Sequence, residues 1–253
     1  MDSDVCTDIC NNKLKEPLKY HRKLWEFVWI YSILEQKGHL VPGKRGIGFG
    51  CGEERLVPAL AAQGVEIVVS DQDAEAAAKS GWVATNQHSS SLEAFEKFLP
   101  LVCDKDLFYK NVSYRCIDMN HLPEDIDGQF DFNWSACSLE HLGTLELGLE
   151  FILNSMKSLK PGGVAVHTTE YNISSNDATL TSGCTAIYRR KDIEELLFRA
   201  IKMGYQACAV DFSTGDLVHD NHIDVPPYTE DPHLKLEIAG YDCTSIGIFI
   251  EKP

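Results

Sequence analysis

Residues 45–54, Arg45-Gly46-Ile47-Gly48-Phe49-Gly50-Cys51-Gly52-Glu53-Glu54, decide the fold of this chain. A strand over residues 45–49 runs into glycines and then into a helix expected over residues 54–63. Small residues let backbone approach a ligand closely, and the N–H groups at a helix start favour an acidic one. Glycines here also suit a plain tight turn. The next strand, Glu66-Ile67-Val68-Val69-Ser70, tips the balance, because it ends at Asp71. A carboxylate about 20 residues beyond such glycines, on the neighbouring strand, can accept hydrogen bonds from both hydroxyls of a ribose.

Outward from this unit, strand and helix keep alternating. Further strands are expected at residues 112–117, 130–134, 164–168, 206–212 and 245–251, with helices at 17–36, 91–98, 145–159 and 192–203. The pattern predicts an α/β fold: a doubly wound, mostly parallel seven-stranded sheet with helices on both faces. One domain over residues 1–253 is the economical division, with residues 1–40 as a helical cap. Two connections, 80–110 and 213–241, exceed ordinary loops and are expected near a substrate site.

Composition narrows the function classes. The chain has 253 residues, 44% hydrophobic and 24% charged, as in an ordinary globular protein. Its formal net charge of −15 repels phosphate backbones, so no nucleic-acid partner is expected. No apolar run is long enough to cross a bilayer, and Met1-Asp2-Ser3-Asp4-Val5 does not read as a secretory signal. Nine dispersed cysteines without a Cys-x-x-Cys pair fit reduced thiols, hence a cytoplasmic protein.

The ordered motifs resemble the class I S-adenosylmethionine-dependent methyltransferase family. Gly50-Cys51-Gly52 is similar to the centre of its first motif, and Asp71 to its ribose-binding acid. Asp118, followed by Met119, resembles the aspartate that meets the adenine amino group. Phe130-Asp131-Phe132-Asn133-Trp134-Ser135 and Leu159-Lys160-Pro161-Gly162-Gly163 resemble the fourth strand and the turn before the fifth. The resemblance implies S-adenosyl-L-methionine as cofactor, touched by Gly48, Gly50, Cys51, Gly52, Asp71, Gln72, Asp118, Met119 and Ser135. Two positions depart from the family. Gly48 stands where an acid is frequent, and Glu54 where a third glycine is usual.

The resemblance further implies methyl transfer to a small-molecule acceptor. An Asn/Asp-Pro-Pro-aromatic motif for base amines is absent after Trp134, and a polar metabolite methylated on oxygen rather than nitrogen is expected. A non-catalytic module that binds cofactor or a partner protein is the alternative, kept open by Gly48 and Glu54. Either Glu170, in a polar run expected to form a loop, or His141 is a candidate base. Tyr171, His222 and Tyr228 are candidate acceptor contacts, the last two on the late insertion beside Pro226-Pro227. His219, Asp220, His222, Asp224 and His233 can ligate metals but lack a recognised spacing, so no metal is expected.

Overall fold

The protein is described by a computed structural model over residues 1, 3–79, 81, 87–229 and 231–253. Residues 80 and 82–86 of the first long connection lie outside the described residues. In chain order the elements are α1 (Asp4–Asp8), α2 (Arg22–Gln36), β1 (Arg45–Gly48), α3 (Leu56–Ala61), β2 (Glu66–Asp71) and α4 (Ala74–Lys79). Then come α5 (Leu99–Val102), α6 (Lys105–Asn111), β3 (Val112–Cys116), β4 (Phe130–Ala136), α7 (Leu145–Ser155) and β5 (Leu159–Asn172). The chain closes with α8 (Arg190–Lys202), β6 (Gln206–Ala207), β7 (Ile223–Asp224), β8 (Lys235–Ile238) and β9 (Tyr241–Glu251).

The sheet runs β3-β2-β1-β4-β5-β9-β8-β7, with β6 pairing on β9. Strands β1 to β5 are mutually parallel, and β9 returns antiparallel to β5. Parallel strands need helical crossovers, which cover both faces and bury the sheet. Ile67 and Val69 pack with α2 and α3 on one face, while Ile47, Phe49 and Val68 pack with α7 and α8 on the other. An irregularity between Phe130 and Phe132 sends these rings to opposite faces, although strand alternation alone would put them together.

Four expectations are corrected. Among the described residues the sheet has nine strands rather than seven, because the late insertion contributes β7 and β8. The strand expected over 206–212 stops at Ala207, and the chain then peels away to border a cavity. Residues 168–172 are not a loop: β5 continues to Asn172, paired throughout with β9. Helix α2 starts at Arg22, because residues 20–21 instead join the insertion, where His233 N–H donates to the Tyr20 carbonyl at 2.6 Å and His21 bridges to His233. The His21 imidazole caps α2, accepting from Lys23 N–H at 3.1 Å. Among the described residues no helix is long and apolar enough to cross a membrane.

Candidate active site

Beyond the carboxyl ends of β1, β2 and β4 lies a cavity of about 460 Å³. Gly50 and Gly52 line it with φ of 59° and 53°, a left-handed backbone that glycine adopts without penalty. A Cβ on Gly52 would stand 2.7 Å from the Gln87 carbonyl oxygen, so the turn is closed to larger residues. Asp71 reaches the same turn. Its carboxylate accepts Gly52 N–H at 3.0 Å, Ser89 N–H at 3.2 Å and Gln72 N–H at 2.8 Å. Burial raises its pKa and these backbone donors pull it back. Cys51, Gln72, Asp118 and Met119 also line the cavity. Asp118 is held by Asn120 N–H at 2.8 Å and by His121 Nδ1 at 2.8 Å. Three of the roughly four acceptor positions of the Asp71 carboxylate are thus taken by backbone donors, leaving about one for a ligand hydroxyl.

Two expected cofactor residues sit elsewhere. Gly48 does not line the cavity, because a Cβ there would meet Trp134 at 2.3 Å and the Cys51 sulfur at 2.4 Å. The Trp134 ring fills the space into which an acidic side chain would otherwise project. Ser135 points into the core, its hydroxyl 2.8 Å from Nδ1 of buried His167. Burial lowers the His167 pKa to about 3, so this pair is neutral. Glu54 brings an acid to this cavity where position 48 has none. Its buried carboxyl lines the cavity and accepts Trp134 Nε1–H at 3.1 Å. Burial pushes its pKa up to about 7, despite Lys23 nearby.

At the end of the cavity bordered by Cys137, Ser138 and His141, charged side chains of α2 meet the ends of β4 and β5. Arg22 pairs with Glu170 at 2.6 Å and Glu26 at 3.4 Å, and donates to the Cys137 sulfur at 3.3 Å. Lys23 pairs with Glu26 at 3.3 Å and donates to the Ala136 carbonyl at 2.7 Å. Glu26 also accepts from the Cys137 thiol at 2.9 Å and from the Ser245 hydroxyl. Burial works against the Glu26 carboxylate, but Lys23 and Arg22 outweigh it and hold its pKa low. Glu140 accepts from Thr169 Oγ1 at 3.1 Å, and burial raises its pKa. Burial likewise pushes Glu170 up to about 7 against the pull of Arg22. One oxygen each of Glu140 and Glu170 has no hydrogen-bond partner among the described residues.

This arrangement separates the two candidate bases. Glu170 lines neither this cavity nor its larger neighbour, and it pairs with Arg22. His141 does line the cofactor cavity. Its Nδ1 lies 2.7 Å from the Cys184 carbonyl, which fixes the proton there and the basic lone pair on Nε2. Burial lowers its pKa, so the ring is neutral near pH 7. Cys137, Glu140 and Glu170 offer ligand atoms within 4.8 Å of one another, but the Arg22 guanidinium already sits between sulfur and carboxylate. In the late insertion, His219 stacks on Tyr20 at 3.7 Å and His233 bonds Asp224 at 2.5 Å. Those side chains are engaged separately rather than gathered around one point.

The other side of α2 faces a second cavity, of about 850 Å³. Tyr171 lines it, together with residues of the insertion. His222 and Tyr228 line neither cavity. His222 is exposed, and the Tyr228 hydroxyl donates to the Glu237 carbonyl at 2.7 Å, which ties its ring to the outside of β8. Sequence reasoning missed Arg22, Lys23, Glu26, Cys137 and Glu140. Their signal was three charged residues on a helix otherwise read for its apolar positions.

Comparison with known proteins agrees with this geometry. Residues 47–167 match the family model described as a methyltransferase domain. No curated protein matches the chain by sequence. Among solved structures it resembles the (4+2)-cyclase SpnF, with 16% identity, a TM-score of 0.60, and coverage of 99% of this chain and 93% of that one. It also resembles an S-adenosylmethionine-dependent methyltransferase from Mesorhizobium loti, with 14% identity, a TM-score of 0.50, and coverage of 88% and 97%. A third is the glycopeptide N-methyltransferase MtfA, with 12% identity, a TM-score of 0.53, and coverage of 89% and 95%. Likeness at this identity carries the fold alone, and a cyclase among the neighbours underlines that the reaction must be argued from the site.

Proposed function

We propose that this chain is a class I S-adenosylmethionine-dependent methyltransferase that methylates an oxygen of a small polar metabolite. When bound, the cofactor supplies a methyl group on a positively charged sulfur. Asp71 would hold its ribose, Asp118 its adenine side, and Glu54 and Lys23 the ammonium and carboxylate of its methionine end. The last pair replaces the family's acid at position 48 with one carried by the glycine turn itself.

The observation that carries the choice of oxygen is His141. A neutral imidazole with its proton on Nδ1 carries its basic lone pair on Nε2, and such a ring on the cavity wall suits a hydroxyl that must lose a proton. Glu170 enters as a positioning residue: through Arg22 it fixes Cys137 and the wall of the methyl end. The net charge of −15 favours a metabolite over a nucleic acid. Nine free cysteines fit the cytoplasm as its compartment. Replacing His141 by Ala tests the role. Turnover should fall about 10²–10⁴-fold while S-adenosylhomocysteine affinity stays within about twofold, and with cofactor saturating at every pH the acidic limb of the pH–kcat profile should disappear. Unchanged turnover would remove His141 as the base.

A further inference from the structure

The cavity of about 850 Å³ is bordered by a cation that bonds no acid among the described residues. Lys235 lines this cavity from β8 and is only 8% exposed. No ion pair or hydrogen bond engages its ammonium among the described residues. The other cationic side chains of the lining are spent: Arg22 on Glu170 at 2.6 Å, and Lys37 on Glu251 at 2.9 Å. The two lining acids, which stay charged, bond backbone donors rather than Lys235. Asp211 accepts Ser213 N–H at 2.9 Å, and Asp220 accepts Leu217 N–H at 3.1 Å. A largely buried ammonium without a counter-ion is costly, and an anion brought to it gains in proportion.

The same cavity offers an aromatic floor. Trp25 and Trp29 lie one turn apart on α2, with ring centroids 6.1 Å apart and planes inclined by 18°. Trp29 is seated directly on Gly247, where a Cβ would come within 2.4 Å of the indole, so the floor is held rigidly against β9. Rigid aromatic faces bury a ring at small entropic cost.

We propose that this cavity is a second ligand site, separate from the cofactor's, for an organic oxyanion whose ring lies on Trp25 and Trp29 while its carboxylate or phosphate meets Lys235. The proposal does not depend on which atom the enzyme methylates. Helix α2 divides the two cavities, with Lys23 and Phe27 facing the cofactor side and Arg22, Trp25 and Trp29 facing this one. Arg22 borders this cavity and touches Cys137, which lines the other, at 3.3 Å.

Calorimetry with three probes sharing one ring tests it: 1-naphthylacetate, 1-naphthyl phosphate and 1-naphthylmethylamine. At least one anion should bind at least tenfold more tightly than the amine, and the stronger of the two identifies the preferred oxyanion. Saturating S-adenosylhomocysteine should not displace it. In Lys235→Met the anion should weaken at least tenfold and the amine should not, while Lys235→Arg keeps the anion's advantage. Should Lys235→Met fail to fold, Trp25→Ala serves instead and should weaken anions and amine alike. Equal binding of amine and anions, no binding of either anion, displacement by S-adenosylhomocysteine, or an unaltered preference in Lys235→Met would each overturn the proposal. Absence of S-adenosylhomocysteine binding would speak against the cofactor assignment alone.

Discussion

Replacing Glu54 by Gln removes the only titrating charge change we assign to the methionine end of the cofactor. Glu54 is buried against Trp134 Nε1 at 3.1 Å, with its pKa pushed up to about 7. An amino-acid ammonium keeps its charge over the neutral range, so the cofactor prefers the ionised carboxylate. Between pH 8 and pH 6 the ionised fraction falls from about nine-tenths to about one-tenth, and the dissociation constant of S-adenosylhomocysteine should rise roughly tenfold. A hydrogen bond to a charged group contributes about 1.5–3 kcal/mol, so Glu54→Gln should weaken binding about 10- to 100-fold at pH 8. At pH 6 the gap between the two proteins should narrow by roughly tenfold, since wild type has lost most of the same charge. The cofactor-free protein gives an independent check on the sign. An acid whose folded pKa is raised from 4.5 to about 7 makes stability fall as pH rises through that window. Glu54→Gln should flatten that fall. Titration calorimetry at pH 6, 7 and 8 reads the affinities, and urea melts over pH 4.5–8 read the stability. Equal affinity at pH 8, or the same pH slope in both proteins, would refute the assignment of Glu54.

Asp71→Ala should lose at least about tenfold in S-adenosylhomocysteine affinity, because each hydrogen bond to a carboxylate contributes about 1.5–3 kcal/mol. It should also melt at lower temperature, since the Gly52 and Ser89 N–H groups lose their acceptor; an unchanged melt together with unchanged affinity would contradict its place. Gly48→Asp, which restores the family's frequent acid, should destabilise by about 1–3 kcal/mol or more, because its Cβ falls 2.3 Å from Trp134. Denaturant melts check this, and a stable variant with tighter cofactor binding would show that Trp134 does not close the position.

That Gly50, Cys51, Gly52, Asp71, Gln72, Asp118 and Met119 line one cavity was legible because their signals are local. Gly50, Gly52 and Asp71 each carry a backbone demand or a strand-end position that the chain displays within about 20 residues. Gly48 misled for a physical reason: its constraint comes from Trp134, a residue far along the chain, and not from a ligand. The methyl end was hidden by distance. Glu26 meets Cys137 across 111 residues and Ser245 across 219, so no pattern along the chain announces that these groups converge. Glu170 looked like a loop residue because Thr168-Thr169-Glu170-Tyr171-Asn172 is polar, whereas β9 pairs that whole run as buried strand. Strands β7 and β8 were missed because β7 is two residues long, too short for any period to register.

The central claim is tested most directly by following the methyl group. The protein is incubated with carbon-13-methyl S-adenosylmethionine and a metabolite extract, and the products are separated by size and examined by NMR. The label should appear in a small organic molecule as a methyl ether or ester, dependent on His141 and Asp71. Label that enters nucleic acid or protein, or that stays wholly on the cofactor despite tight binding, would contradict methyl transfer to a small polar metabolite.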